Sequence, residues 1–187
     1  SLLVSVALGK SALGIGIVDA STGQAWASNL NGEDRFARAL DEIMRWRPTE
    51  IVVSPLDAED SALCALFSHL DNVLISQHRA SENKRRKRLE KVLKVADLGH
   101  LDLDDSPLAL AAAGLAADYL ATMHIADEIP LRDIEVIDEA GHLVLDQTTL
   151  KNLELTSTLA GEFEGSLLST MNACRSSMGR RLLKTWI

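Results

Sequence analysis

The sequence is poor in aromatic residues and has almost no cysteine. Phe, Trp and Tyr make up 4% of the 187 residues, so a core must be built from Leu, Ala, Val and Ile. The two cysteines, Cys64 and Cys174, are too few and too far apart for a disulfide framework or a zinc site, which favours a reducing, cytoplasmic compartment. Because Cys64 has apolar neighbours, we expect it in the core rather than as a nucleophile.

Positive charge and long apolar runs are also in short supply. The net charge is −8, whereas a protein whose main task is to grip the phosphate backbone is usually basic. No apolar run approaches the roughly 20 residues that span a bilayer, and the N-terminus lacks the pattern of a signal peptide. We therefore expect a globular protein that has no membrane partner and is not a stand-alone DNA binder.

The chain does contain a regular alternation of strand and helix patterns. Apolar, β-branched runs predict strands at Leu2–Leu8, Ala12–Val18, Gln24–Asn29, Glu50–Val53 and Asn72–Ser76. Apolar spacing and start signals predict helices at Asn31–Trp46, Asp57–His69, Ser81–Val95 and Leu108–Met123, the last opened by Ser106-Pro107. Three antiparallel strands followed by strand–helix units build an α/β mixed sheet flanked by helices, and this order is that of the ribonuclease H-like fold.

The pattern changes after Ile125. Two short strands, Arg132–Ile137 and His142–Leu145, flank a turn and predict a hairpin. Helices are expected at Thr148–Leu155, Gly165–Ala173 and Met178–Ile187, too few to bury their own apolar faces. We therefore expect a ribonuclease H-like domain at 1–122, a linker at 123–130, and the start of a truncated, mainly helical domain at 131–187.

Two stretches resemble a known family. The first is an apolar strand that runs from Gly14 into an Asp-x-Ser-Thr-Gly turn, whose fixed positions are Asp19, Thr22 and Gly23. The second combines an Asp-x-x-Thr-x-x-Asn-Leu-Glu element, a Ser-Leu-Leu helix and a Met-Gly-x-Arg-Leu-Leu-x-x-Trp helix. Its fixed positions include Asp146, Thr149, Asn152, Leu153, Glu154, Gly179 and Arg181. Together they are similar to the connector domain and the entry of the core, or lever, domain of MutS-family DNA mismatch-repair proteins. The segment 174–177, Cys-Arg-Ser-Ser, departs from the Thr-x-Thr that is usual there.

The resemblance implies a relay rather than an enzyme. In the family, the connector joins the mismatch-reading domain to the lever and offers a docking surface to a MutL-type partner. The Phe-x-Glu motif that reads mismatches, the Walker A loop and the Walker B acid are missing from this sequence, so no cofactor is expected in it. ATP and Mg²⁺ would belong to the parent protein, a dimeric DNA-dependent ATPase that binds mismatched duplex DNA. Rigid-body movement near Thr122 to Pro130 would transmit its state.

Motifs that could carry chemistry have weaker support. Gly9-Lys10-Ser11 lacks the upstream glycine of a phosphate-binding loop and is expected to be a hairpin turn. A metal-dependent nuclease is an alternative for this fold, but it needs clustered carboxylates and the first strand has none. Asp19 is expected to accept hydrogen bonds from its own turn. Calcium-loop spacing is incomplete at Asp102, Asp104 and Asp105, and the five histidines show no ligand spacing.

The sharpest local feature is the basic run Lys84, Arg85, Arg86, Lys87 and Arg88 in a predicted helix. Three interpretations stay open: a docking patch for a protein partner, a DNA-phosphate patch with salt-dependent affinity, and a solvated helix face. Because the resemblance places this helix in the connector, we favour a protein partner over DNA. Reversing Arg86 and Arg88 to Glu is then expected to weaken partner binding and to leave the fold intact.

Overall fold

The computed structural model describes residues 2–93, 106–123, 133–137 and 147–187. The chain forms two compact units, residues 1–141 and 142–187. None of the helices in the described ranges is long and apolar enough to cross a membrane.

The first unit is built on a six-stranded mixed sheet. Its strands are β1 (Leu2–Leu8), β2 (Ala12–Asp19), β3 (Gln24–Asn31), β4 (Glu50–Val53), β5 (Leu74–Gln77) and β6 (Asp133–Ile137). Their order across the sheet is β5-β4-β1-β2-β3-β6. The first three strands are antiparallel neighbours, whereas β4 pairs with β1, β5 with β4 and β6 with β3 in parallel. The predicted ribonuclease H-like mixed sheet is confirmed.

Helices cover both faces of this sheet. They are α1 (Arg35–Trp46), α2 (Ser61–Phe67), α3 (Glu82–Leu93) and α4 (Pro107–Thr122). Successive side chains of a strand point to opposite faces, and Leu3 and Val4 accordingly lie in two different core clusters. One cluster holds the apolar side chains of α3 and α4, and the other holds those of α1 and α2.

Helix α4 lies unusually close to the sheet. A Cβ added to Gly14 would stand 2.0 Å from the carbonyl oxygen of Leu108, and one added to Gly16 would stand 2.8 Å from the backbone nitrogen of Ala113. Glycines on β2 and alanines on α4 therefore allow the two backbones to approach where larger side chains would hold them apart.

One predicted strand has a partner that the sequence did not indicate. The strand expected to open a hairpin of the second domain is β6, which pairs in parallel with β3 at the edge of the first sheet. A local turn signal says nothing about pairing with a strand about a hundred residues away, so this contact was not predicted. The second hairpin strand, His142–Leu145, and most of the expected linker lie outside the described residues.

The helix predicted at Asp57–His69 is also divided. A single 3₁₀ turn spans Asp57–Glu59, and α2 begins only at Ser61. Asp60 is the N-cap, and its Oδ1 accepts hydrogen bonds from the backbone N–H groups of Ala62 and Leu63. This arrangement satisfies amide groups that have no partner within the helix.

The second unit contains three short helices, α5 (Gln147–Asn152), α6 (Leu167–Met171) and α7 (Ser177–Trp186). Ser166 caps α6 by accepting from the backbone N–H of Ser169, and Ser176 caps α7 by accepting from that of Gly179. Many of its large apolar side chains are exposed, among them Leu159, Met178 and Trp186.

Candidate partner-docking site

The basic run lies on α3, which packs against α4. Leu89 is fully buried at this contact, and Val92 and Leu93 pack beside it. At Gly114 the two helices approach so closely that an added Cβ would stand 2.7 Å from the Cβ of Arg85. Arg85 therefore faces α4, and its guanidinium Nε donates to the carbonyl oxygen of Ala80 at 3.0 Å.

A buried carboxylate on α4 holds the flank of α3. The side chain of Asp118 has no exposed surface, although it stands in a helix made mainly of Ala and Leu. Its Oδ2 lies 2.8 Å from Lys84 Nζ and 2.9 Å from His78 Nε2, and its Oδ1 lies 3.5 Å from Arg88 Nε. Three basic groups therefore compensate one buried negative charge, as an ionised group out of water requires.

The titration of Asp118 reflects this environment. Burial by itself raises the pKa of the carboxyl group, but hydrogen bonds from Lys84 and His78, together with their charges, outweigh it. The pKa of Asp118 consequently lies below its ordinary value of 3.8. The carboxylate is thus ionised at neutral pH and attracts the cations on α3.

The network continues to the edge of the sheet. His78 follows β5 directly, and its ring meets the edge of the Tyr119 ring with centroids 5.5 Å apart. The hydroxyl groups of Tyr119 and Ser76 both donate to Oε1 of Glu50, at the start of β4. Burial, reinforced by the Glu50 carboxylate, raises the pKa of Tyr119. Helices α3 and α4 are therefore tied to β4 and β5 by polar contacts as well as by packing.

The five residues of the basic run have different environments. Lys84 and Arg88 contact Asp118, and Arg85 is half-buried, where desolvation lowers its pKa although Asp57 and other acids oppose the shift. The Nε atom of Arg86 lies 3.4 Å from Oε1 of Glu90, which is one turn further along the helix. Lys87 is exposed. The predicted reversal of Arg88 to Glu stays untested, but a glutamate there would face the buried carboxylate of Asp118, so we now expect that change to lower stability as well.

The remaining sequence motifs of the first unit have structural roles. Gly9-Lys10-Ser11 joins β1 to β2, with the Gly9 N–H donating to the Ala12 carbonyl at 2.9 Å, and this hairpin turn is confirmed. Asp19 accepts from the Ser21 backbone N–H at 2.9 Å and from the Ser21 hydroxyl at 2.6 Å, as expected. Burial alone would raise the pKa of Asp19, but these hydrogen bonds outweigh it and hold the pKa below 3.8. Gly23 closes the turn at φ 75°, where glycine is favoured.

A serine occupies the middle of β1. Ser5 is fully buried and its hydroxyl donates to the carbonyl oxygen of Ala112 on α4 at 2.6 Å, so this position ties the sheet to a helix.

In the ranges that the structure describes, no group of three or more His, Cys, Asp or Glu side chains is placed to hold a metal ion. Asp102, Asp104 and Asp105 lie outside those ranges.

The family-signature residues of the second unit shape a compact loop. Glu154 adopts a left-handed backbone with φ 48°, its carbonyl oxygen accepts from the Leu167 N–H at 3.0 Å, and its Oε1 accepts from the Leu159 N–H at 2.7 Å. Gly179 donates to the Ser176 cap at 3.1 Å, and an added Cβ would stand 3.2 Å from that hydroxyl oxygen. Thr149 is half-buried, and Asn152, Leu153 and Arg181 are exposed. Asp146 is outside the described residues.

One sequence expectation was wrong, and two residues of the site were missed. Cys64 is exposed rather than part of the core, with its thiol 3.3 Å from the Ala58 carbonyl oxygen. His78 and Asp118, which organise the basic helix, were not singled out. A lone aspartate in an otherwise apolar, Ala-rich helix is a signal that could have identified Asp118, because a buried charge needs a partner.

Comparisons with known proteins agree with this architecture. Residues 1–133 match the model of MutS domain II, and residues 148–187 match that of MutS domain III. DNA mismatch repair protein MutS of Symbiobacterium thermophilum is 35% identical, with 100% of this chain and 22% of that protein covered. The MutS of Anaeromyxobacter sp. is 33% identical, with 100% of this chain and 21% of that protein covered. The MutS of Methanococcoides burtonii is 28% identical, with 99% of this chain and 21% of that protein covered. The chain thus spans about a fifth of the length of these relatives.

Proposed function

The chain belongs to the MutS family of DNA mismatch-repair proteins, with its domains II and III, and on that premise we propose that it works as a relay. In this proposal it is the connector, followed by the first part of the core domain, of a longer MutS protein. The longer protein would bind mismatched duplex DNA and ATP with Mg²⁺, and would act as a dimer in the cytoplasm. The chain itself would perform no catalysis.

The docking of a MutL-type protein on the connector is the part of the proposal that this chain's own residues can support. The observation that carries it is the position of the basic run on α3. Packing against α4 and the buried Asp118 hold this helix in one orientation, while Lys87 is presented to solvent. A rigid, charged surface steers an oppositely charged partner and fixes its orientation.

The proposed mechanism is mechanical. ATP and DNA events elsewhere in the longer protein would move the connector as a rigid body and thereby expose or withdraw its docking face. We place the pivot after β6 rather than in 123–130, because β6 is hydrogen-bonded to β3 of the same sheet. The division between the two compact units, after Gly141, fits this position.

A titration tests the docking proposal. The chain is titrated with the MutL-type protein from the same organism at low and at moderate salt, with folding of the chain checked by circular dichroism. We expect saturable binding that weakens as salt rises, since exposed charges are screened over roughly 10 Å at 0.1 M salt. A folded chain that shows no binding at either salt concentration would refute docking on this part of the protein.

A further inference from the structure

The turn between β3 and α1 contains the only asparagine of the sequence that is followed by glycine. Asn31 is the last residue of β3, and both it and Gly32 are exposed. No residue of the described ranges accepts a hydrogen bond from the Gly32 N–H. Gly32 has φ 99° and no Cβ, so its backbone nitrogen is open to approach by a neighbouring group. A nitrogen in this position can attack the side-chain amide of the preceding asparagine.

Each of the two carbonyl groups that such a reaction involves accepts a hydrogen bond. Nη1 of Arg38 donates to the backbone oxygen of Asn31 at 2.9 Å. That oxygen belongs to the same peptide group as the Gly32 nitrogen, so the positive charge makes the N–H more acidic and stabilises its anion. Nδ2 of Asn29 donates to Oδ1 of Asn31 at 3.1 Å. This second bond stabilises the negative charge that develops on Oδ1 when the amide carbon is attacked.

Asp34 is the acidic neighbour of this turn. A Cβ added to Gly32 would stand 3.1 Å from its Oδ1, so by itself this carboxylate would oppose a negative charge on the Gly32 nitrogen. The same Oδ1 lies 3.3 Å from Nη1 of Arg38, and this ion pair compensates part of its charge. It also fixes the guanidinium of Arg38, which is only 22% exposed, beside the reacting peptide group.

We propose that Asn31 is a modification site, at which the side-chain amide is lost through a cyclic imide and Arg38 and Asn29 favour the reaction. A hydroxide ion takes the proton of the Gly32 N–H, and the nitrogen lone pair forms a bond to Cγ of Asn31. The Cγ–Nδ2 bond then breaks, and Nδ2 takes a proton from water and leaves as ammonia. One water molecule opens the imide, at Cγ to give aspartate or at the backbone carbonyl carbon to give isoaspartate. The net reaction consumes one water and releases one ammonia.

The modification changes the joint between β3 and α1. Aspartate adds one negative charge at position 31. Isoaspartate also routes the main chain through the former side chain and leaves the former backbone carbonyl as a free carboxylate. That carboxylate contains the oxygen to which Arg38 donates, so an ion pair replaces the bond to a neutral carbonyl. Arg38 thus acts as a positioning residue before the reaction and holds the product afterwards.

Ageing the folded chain and mapping its peptides by mass spectrometry tests the proposal. Asn72, Asn83 and Asn152 are also exposed but precede residues that have a side chain, so they are internal controls in the same sample. We expect aspartate and isoaspartate at position 31 to form at least about tenfold faster than at the controls, which is a barrier difference of about 1.4 kcal/mol. The rate is expected to rise with hydroxide concentration, because the attacking nitrogen must lose its proton.

Two arginine variants, each checked for folding by circular dichroism, give the matched comparison. Arg38→Gln removes the charged donor from the reacting peptide group, whereas Arg35→Gln removes one that donates at 2.9 Å to the Gly32 carbonyl oxygen, one peptide further on. We expect Arg38→Gln to slow the reaction by about tenfold, less than the loss of a donor costs in a site closed to water, and Arg35→Gln to stay within about twofold. Arg38→Lys keeps a charged donor and is expected to retain most of the rate.

The outcomes separate the site from its activation. If position 31 of the folded chain reacts no faster than the three control asparagines, the modification site is overturned. If it reacts but the two glutamine variants change the rate equally, or Arg38→Gln reacts faster than wild type, the role of Arg38 is overturned while the site stands. A selective loss of rate in Arg38→Gln, with rescue in Arg38→Lys, supports both parts.

Discussion

Replacing Asp118 by asparagine tests whether the buried carboxylate holds the basic helix. Asparagine keeps the shape but removes the charge that faces Lys84, His78 and Arg88. Removing one partner of a buried ion pair commonly costs about 3–5 kcal/mol. Here the Lys84 side chain is 51% exposed and that of Arg88 is 28% exposed, so both cations can recover part of their hydration. We therefore expect Asp118→Asn to lower the free energy of unfolding by about 2–3 kcal/mol.

Urea unfolding followed by tryptophan fluorescence measures this effect. Trp26 and Trp46 have ring centroids 4.6 Å apart and so report on the first unit. With a slope of about 2 kcal/mol per M, the midpoint is expected to fall by about 1–1.5 M without a change in slope. Lys87→Ala is the control on the opposite side of the helix and is expected to change stability by less than about 0.5 kcal/mol. Equal midpoints for the two variants would refute the anchoring role of Asp118.

The same variant has a pH signature. The folded-state pKa of Asp118 is below 3.8, so its stabilising contribution is fully present above pH 3.8 and is lost as pH falls through the lower folded value. The difference in stability between wild type and Asp118→Asn is therefore expected to shrink only below about pH 4. A difference that already disappears between pH 7 and pH 5 would contradict a depressed pKa.

Three further predictions concern other contacts. Gly114→Ala places a methyl group against Arg85. We expect urea unfolding to show a loss of about 1–2 kcal/mol in the free energy of unfolding, because overpacking outweighs the gain in helix propensity. A more stable variant would contradict this close approach. Burial raises the pKa of Glu42 above 4.5 although Arg45 opposes it, so the contribution of Glu42 to stability rises as pH falls from neutral towards 4.5. Glu42→Gln is expected to lose that gain and to be at least as stable at pH 7, as a thermal melt at each pH would reveal. Ser166→Ala removes the cap of α6 and is expected to cost about 1 kcal/mol, seen as faster amide exchange in 167–171; unchanged exchange would argue against the cap.

Local patterns in the sequence were enough to predict most elements of the first unit. The β1, β4 and α4 segments were predicted within a residue of their observed bounds, because apolar periodicity and start signals such as Ser106-Pro107 act within a few residues. The hairpin turns of β1–β2 and β2–β3 were predicted for the same reason. The family signature at 146–186 could also be identified without coordinates, since it depends on residue order alone.

Long-range contacts were beyond those patterns. The pairing of β6 with β3 depends on which strand edge of the sheet is open, and no local signal reports that. The exposure of Cys64 depends on how far α2 is covered by its neighbours, which its apolar sequence context did not show.

The basic helix shows most clearly what each level determined. The sequence by itself determined that five cations occur together on a helix of an acidic chain, and that the chain has the order of a MutS connector. Only the tertiary structure decided which of those cations contact Asp118. This carboxylate is thirty or more residues away from them in sequence, and the packing of α4 on α3 brings it close to Lys84 and Arg88. A buried charge must find its partners in space, and that requirement leaves Lys87 facing outward.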